Sequence, residues 1–230
     1  MAEKDEVNAE VEERGEAGTA VDSDVEMGAA PAAEAEASDA VKRPALWLAR
    51  HGETEWSRDG RHTGRSDIPL TPAGEAEARA LEDPMSIVEF TRVLTSPLSR
   101  AAETCELAGF RDRAQPRDEL LEWDYGDYEG KTSAEIREER PDWLLWRDGC
   151  PDGESPGQIG ARVDSLIGEL LDEDGPIAIF AHGHVLRVLA ARWIGLGPEG
   201  GKLLKLNTAT LSRLGWEHDY RVIERWNAEA

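Results

Sequence analysis

Residues 176–195 read PIAIFAHGHVLRVLAARWIG. The first six are apolar throughout, and the run stops abruptly at His182-Gly183-His184. A strand with no polar face must be covered on both sides, which is the condition of a central strand in a parallel sheet. The segment that follows, 184–195, reads as a helix, so the stretch is a strand feeding a helix through a histidine-rich turn.

Working outward, the same alternation recurs. ALWLA (45–49) is a short apolar run bounded by Pro44 and Arg50, as a buried strand is. LTPAGEAEARAL (70–81) predicts a helix with Thr71 as N-cap, Pro72 at the first helical position, and Glu75 and Glu77 early in the helix. TRVLTS (91–96) predicts a second strand, and PLSRAAETCELAG (97–109) a helix that starts at Pro and stops at Gly. A loop rich in Asp, Tyr and Gly occupies 122–130, with a short helix near 132–139. Over 155–175, Ile159, Val163, Leu166, Ile167 and Leu170 fall at helical spacing. TATLSRLGW (208–216) and YRVIERW (220–226) alternate like a hairpin around Glu217-His218-Asp219. Strands alternating with helices imply an α/β fold: a three-layer αβα sandwich on a mostly parallel sheet.

The chain carries a net charge of −22, which excludes general affinity for nucleic acid or for an anionic membrane surface. No apolar run approaches the roughly 20 residues that span a bilayer. The N-terminus is acidic and lacks the apolar stretch of a secretory signal. Residues 1–43 hold 13 acids against four bases and no aromatics, the composition of a disordered acidic tail, so the folded domain is expected over 44–230. Cys105 and Cys150 belong to no CxxC pair and read as two reduced thiols of a cytoplasmic protein.

Parallel sheets bind ligands outside the carboxyl ends of their strands. Here the first strand ends at Arg50-His51-Gly52, the second at Thr95-Ser96 with Arg100 one helical turn on, and the 176–181 run at His182-Gly183-His184. Arginines and imidazoles gathered at one sheet edge suit an anion, phosphate above all. Each residue alone has an ordinary explanation: a capping histidine, a solvated arginine, a tripeptide that arises by chance. Their shared edge argues for a site.

LARHGETEWSRDGRHTG (48–64) resembles the signature of the histidine phosphatase superfamily, which includes the cofactor-dependent phosphoglycerate mutases. TSPLSRAAET (95–104), LLEWDYGDYEG (120–130) and AHGHVLR (181–187) resemble its second arginine motif, its acid-bearing loop and its second-histidine motif, in order. The resemblance spans 45–226 and implies a phosphoglycerate mutase-like fold. It implies that His51 attacks phosphorus and becomes a phosphohistidine, with Arg50, Arg100 and His182 on the phosphoryl oxygens. Glu122 would protonate the leaving oxygen and then activate water. Ser57 stands where many members have asparagine and still offers a hydrogen-bonding side chain, and Thr63, Gly64 and Tyr125 lie where the family contacts substrate. His184 either faces substrate beside His182 or begins the helix, and is counted with the substrate-binding residues. No cofactor or metal is expected for this chemistry.

The chemistry is sound on its own terms. A neutral imidazole is a capable nucleophile near pH 7. Fixed guanidinium groups match the oxygens of a phosphoryl group in transfer. An alkoxide leaves poorly without a proton, which a carboxyl beside a phosphate dianion can supply.

The superfamily divides by phosphoryl acceptor. The mutases carry a long basic insert after the acid motif, whereas here 131–155 is short, has more acids than bases and lacks an adjacent arginine pair. EWDYGDYEG with DWLLWRDGCPDGES looks closer to sedoheptulose-bisphosphatase-like and acid phosphatases. The expectation is therefore a phosphomonoesterase acting on a small phosphorylated metabolite, such as a sugar phosphate or bisphosphate. The alternatives are a phosphoglycerate mutase and a catalytically inactive scaffold. Arg58, Arg61 and Arg65 are expected to form a basic rim. His62 either rims the site or is solvated, and His218 is expected to be inert in the hairpin turn. Trp143, Trp146, Trp193, Trp216 and Trp226 are expected in the core.

Overall fold

A computed structural model describes residues 43–230. The expected acidic tail falls on residues outside this range, except Arg43, whose guanidinium donates to the His218 carbonyl and pairs with Asp219 at 2.7 Å.

Strands β1 (Pro44–Arg50), β2 (Arg92–Thr95), β3 (Ala114–Pro116), β4 (Gly175–Ala181), β5 (Leu211–Glu217) and β6 (Tyr220–Ala228) form one sheet in the order β3-β2-β4-β1-β5-β6. The first four run parallel, and β5 and β6 add an antiparallel edge. The helices are α1 (Glu55–Arg58), α2 (Pro72–Ala80), α3 (Glu82–Ser86), α4 (Ser99–Cys105), α5 (Ser133–Glu139), α6 (Leu145–Asp148), α7 (Pro156–Leu170) and α8 (Gly183–Trp193).

β4 is central, and its side chains alternate between two cores. Ile177, Ile179 and Ala181 pack with residues of α7 and α8, whereas Ala178 and Phe180 pack with Leu81, Met85, Cys105 and Phe110 on the other face. β1 divides likewise, Leu46 and Leu48 to one core and Ala49 to the other. Two cores separated by one pleated sheet make the three layers. Among the described residues no helix is long and apolar enough to cross a membrane.

The caps that set helix starts are as expected at Thr71, whose hydroxyl accepts from the Gly74 N–H at 3.0 Å. Capping boxes also open α5 (Thr132 with Glu135) and α7 (Ser155 with Gln158). Three expectations need correction. The helix expected from Pro97 begins at Ser99 and passes through a π-turn over Glu106–Phe110, where Gly109 takes φ 91°. The helix expected over 155–175 ends at Leu170. β3 was not anticipated, because three residues ending in Pro116 give no apolar run; a proline is tolerated there because β3 is an edge strand. α1, α3 and α6 are also additions, each too short to show periodicity.

Candidate active site

His51 and His182 follow the carboxyl ends of neighbouring parallel strands. Arg50 is in register with Ala181, and the His51 N–H donates to the Ala181 carbonyl at 2.9 Å. Their rings therefore meet, with centroids 5.2 Å apart. Behind them the chain is tightly apposed: a Cβ on Gly52 would lie 2.2 Å from the Gly74 carbonyl oxygen, so only glycine lets α2 close against the turn that carries His51.

The His51 ring is buried, and its Nδ1–H donates to the Gly52 carbonyl at 2.7 Å. A carbonyl can only accept, so the proton sits on Nδ1 and the Nε2 lone pair is free. Burial, then the charges of Arg50 and Arg100, hold the His51 pKa well below the ordinary imidazole value. The ring is neutral at pH 7.

Arg50 donates through Nη1 to the Leu206 carbonyl at 2.6 Å. Its Nε is the one buried side-chain nitrogen or oxygen among the described residues that has no hydrogen-bond partner. An orphaned charged donor inside a protein is costly unless something completes it.

Arg100 and His182 are fully buried beneath this pair and do not line the cleft. Arg100 donates Nε–H to His182 Nδ1 at 3.1 Å, Nη1 to the Ser66 carbonyl, and Nη2 to the Thr63 and Gly64 carbonyls. His182 Nε2–H then donates to Ser96 Oγ at 2.7 Å. Glu129 takes the same loop from the other side, accepting from the Gly64 and Ser66 N–H groups. Gly64 is needed for this clamp, since a Cβ there would lie 2.6 Å from the Glu129 carboxylate. Thr63 is thereby presented to the cleft while Gly64 stays behind it.

The Glu122 carboxylate is buried and fixed by three main-chain donors: Trp123 and Val185 on Oε1 and His184 on Oε2. Two of these belong to the first turn of α8, where free N–H groups and the helix dipole favour an anion. His184 thus begins the helix and also lines the cleft. The Tyr125 hydroxyl lies 2.7 Å from His184 Nδ1. Burial raises Tyr125 well above the ordinary phenol value and lowers His184 well below the imidazole value, so both are neutral near pH 7 and the phenol is the donor.

The cleft has a volume of about 290 Å³ and is lined by Arg50, His51, Ser57, Thr63, Glu122, Tyr125 and His184. Ser57 reaches it, but its hydroxyl donates to the Thr54 carbonyl and accepts from the Thr54 N–H, closing the cap of α1. His62, Arg137, Arg187, Trp143 and Trp146 also line it. Trp143 is buried in the core as expected and also borders the cleft, whereas Trp146 is half-buried, packing against that core and facing the cleft. His62 is buried, not solvated, its Nδ1–H on the Lys131 carbonyl at 2.8 Å. The expected basic rim reduces to Arg61, since Arg58 and Arg65 lie outside the lining and pair with Asp59 and Asp124, each at 3.4 Å. Arg187, three residues beyond His184 on α8, was findable from helical spacing; Arg137 left no such signal. Among the described residues no group of three or more His, Cys, Asp or Glu could hold a metal ion. Cys105 and Cys150 are buried thiols pushed up to about 12 by burial.

The neutral histidines predict a pH dependence of stability. His51 and His182 have folded pKa values well below the unfolded one, chiefly through burial. Above about pH 6.5 neither state binds the extra proton; below it the unfolded chain does and the folded protein does not. Stability is therefore fully present above about pH 6.5 and falls as pH drops toward the folded values. The two rings together give a slope of at most about 3 kcal/mol per pH unit. Urea unfolding compared at pH 7.5 and 5.5 measures this, and unchanged stability would contradict the buried neutral assignment.

A model of the histidine phosphatase superfamily (branch 1) matches residues 46–229. An acid phosphatase of Mycobacterium tuberculosis is 38% identical over 185 residues, covering 79% of this chain and 91% of its own length. The sedoheptulose 1,7-bisphosphatase of Saccharomyces cerevisiae is 40% identical over 187 residues, covering 67% of this chain and 69% of its own. The solved structure of an open reading frame product of Mycobacterium tuberculosis superposes with a TM-score of 0.77 at 37% identity, covering 80% of this chain and 97% of that one.

Proposed function

This chain belongs to the histidine phosphatase superfamily, and from that premise we propose that it is a metal-independent phosphomonoesterase that hydrolyses a small phosphorylated metabolite, such as a sugar phosphate, through a phosphohistidine. The observation that carries the reading is the pairing of a neutral, buried His51, whose Nε2 lone pair is free, with the unpartnered buried Nε–H of Arg50. One is a nucleophile and the other an oxyanion donor.

In this reading a phosphoryl oxygen completes Arg50 Nε–H. His51 Nε2 attacks phosphorus, the ester P–O bond breaks, and the Glu122 carboxyl, which takes up a proton as the phosphate dianion binds beside it, gives that proton to the leaving oxygen. Glu122, now a carboxylate, takes a proton from the water that attacks phosphorus, and the P–N bond breaks with its electron pair returning to His51 Nε2. Inorganic phosphate leaves and His51 returns to its neutral form. Arg100 contributes charge at short range and, with Glu129, holds the loop that presents Thr63. His182 fixes Arg100, and Tyr125 and His184 contact the organic part of the substrate. A cleft of small-molecule size supports a metabolite as the partner, and the net charge of −22 disfavours a nucleic acid. Two unpaired thiols fit a cytoplasmic location.

The test is phosphate release from p-nitrophenyl phosphate and from 3-phosphoglycerate with added bisphosphoglycerate, in excess EDTA. Hydrolysis undiminished by the chelator is the expected result. Isomerisation of phosphoglycerate without release would assign the chain to the mutases. No turnover over a broad panel of phosphorylated metabolites would leave the scaffold reading.

A further inference from the structure

His51 and His182 are held at the ends of paired strands, but Glu122 is not. Residues 121–125 belong to no helix or strand; they run between two 3₁₀ turns, Asp118–Leu120 and Gly126–Tyr128. An acid that must meet a leaving oxygen within hydrogen-bond reach needs a fixed main chain as well as a fixed carboxylate. The first turn of α8 fixes the carboxylate. With no strand neighbour, the main chain has to be fixed by side chains.

Arg162, on α7, does so from one side. Its Nη1 donates to the Glu119 and Leu121 carbonyls, each at 2.8 Å, and its Nη2 reaches the Glu122 carbonyl at 3.5 Å. The remaining donors, Nε–H at 2.9 Å and the second Nη2–H at 2.8 Å, hold the two oxygens of the Glu154 carboxylate. All five N–H groups of the guanidinium therefore have acceptors.

Glu154 grips the same segment farther along. Its Oε2 accepts from the Asp124 N–H at 2.9 Å, its own N–H donates to the Asp124 carbonyl at 2.8 Å, and its carbonyl accepts from the Trp123 indole at 2.8 Å. A Cβ on Gly153 would lie 2.4 Å from the Asp124 carbonyl oxygen, so the glycine before Glu154 permits this approach. Together the two residues enclose the main chain from Glu119 to Asp124, with Glu122 between their points of attachment.

The Arg162 and Glu154 side chains are only 16% and 14% exposed. A solvent-facing ion pair tolerates slack, whereas a bidentate pair removed from water is geometrically specific. Neither residue lines the cleft, so neither acts on a substrate by touching it.

We propose, on the reading of Glu122 as the acid, that Arg162 and Glu154 are a positioning pair for it: α7 fixes its main chain while α8 fixes its carboxylate. Loss of the pair then slows those esters whose leaving group needs a proton, and spares those whose leaving group does not.

The experiment compares phenyl phosphate with p-nitrophenyl phosphate as substrates of the full chain carrying Arg162→Met. The two esters are similar in shape, but phenolate is the stronger base and its departure depends more on the acid. The quantity read is kcat/KM, which covers the steps up to departure of the leaving group. The expected loss is about thirtyfold on phenyl phosphate against about threefold on p-nitrophenyl phosphate, because the carboxyl is displaced and not deleted. Arg162→Met alone leaves Glu154 as an unpaired, largely buried charge, so the double variant Glu154→Gln, Arg162→Met, which leaves no such charge, is measured beside it and should give the same ratio. In a Glu122→Gln background Arg162→Met should change the ratio by less than about twofold, since no acid remains to be misplaced. Equal losses on both esters in the single and double variants, while Glu122→Gln still discriminates between them, overturn the positioning role and keep the acid. An effect of Arg162→Met on the ratio that persists undiminished in the Glu122→Gln background also overturns it. Failure of Glu122→Gln to discriminate between the esters rejects the acid itself, and the positioning role with it.

Discussion

Replacing His51 with alanine lowers phosphate release from p-nitrophenyl phosphate by about 10⁴-fold or more, because no other group in the cleft can take the phosphoryl group from the ester. Glu122 is pinned by three N–H donors, and Tyr125 and His184 share one hydrogen bond. His62 spends its Nδ1–H on the Lys131 carbonyl, in the loop away from the strand end that carries Arg50 and His51. His51 alone sits beside the orphaned Arg50 Nε–H with a free ring nitrogen. Alanine removes one hydrogen bond and a small buried ring, so circular dichroism and the melting temperature show the variant folded. A brief incubation with ³²P-labelled substrate, quenched in base, labels the unmutated chain with an acid-labile phosphohistidine and leaves the variant unlabelled. Activity within about tenfold of the unmutated chain would remove His51 from the nucleophile's role. The pH profile follows from the same geometry. Burial and two arginines keep His51 neutral, so the acid limb of kcat/KM due to its protonation lies below the ordinary imidazole value.

How much of this was readable beforehand depends on what each feature rests upon. The central strand, its neighbours and the strand-end histidines follow from local apolar runs that no tertiary context overrides, and His51 and His182 meet because parallel register brings strand ends together. The antiparallel edge follows likewise from alternation around His218, which takes φ 51° in the turn. β3 was invisible because its three residues bury little and are fixed by pairing to β2. The outer cleft was invisible for a different reason. Trp143, Trp146 and Arg137 reach it only because 131–155 returns across the sheet edge, and nothing in their spacing encodes that return. The arginine rim failed for a third reason: charge counting finds arginines but not the nearby acids, Asp59 and Asp124, that neutralise Arg58 and Arg65. Arg100 and His182 were found by motif, yet their hydrogen bonds run to each other, to loop carbonyls and to Ser96, a wiring no motif prints.

Glu122→Gln separates the two jobs of that carboxyl by leaving group. Protonation of the leaving oxygen matters in proportion to the basicity of the departing anion. p-Nitrophenolate departs unprotonated at neutral pH, whereas a sugar alkoxide does not. Glutamine keeps the shape and one acceptor oxygen, but its amide cannot donate a proton to an alkoxide. The substitution also has a structural cost. Oε1 accepts from Trp123 and Val185 and Oε2 from the His184 N–H, so whichever end becomes NH₂ faces a donor. Losing such a bond is worth about 1–3 kcal/mol and shifts the first turn of α8. That cost falls on every substrate alike, whereas loss of the acid falls on the alkyl ester alone. The expected result is a drop of about 10³-fold on fructose 6-phosphate against about tenfold on p-nitrophenyl phosphate, and this ratio cancels any common loss of stability or geometry. The aryl ester should then show a burst of p-nitrophenol, because base-assisted hydrolysis of the phosphohistidine is slowed while its formation is not. Equal slowing of both esters, without a burst, would confine Glu122 to holding α8 in place and would require another proton donor in the cleft.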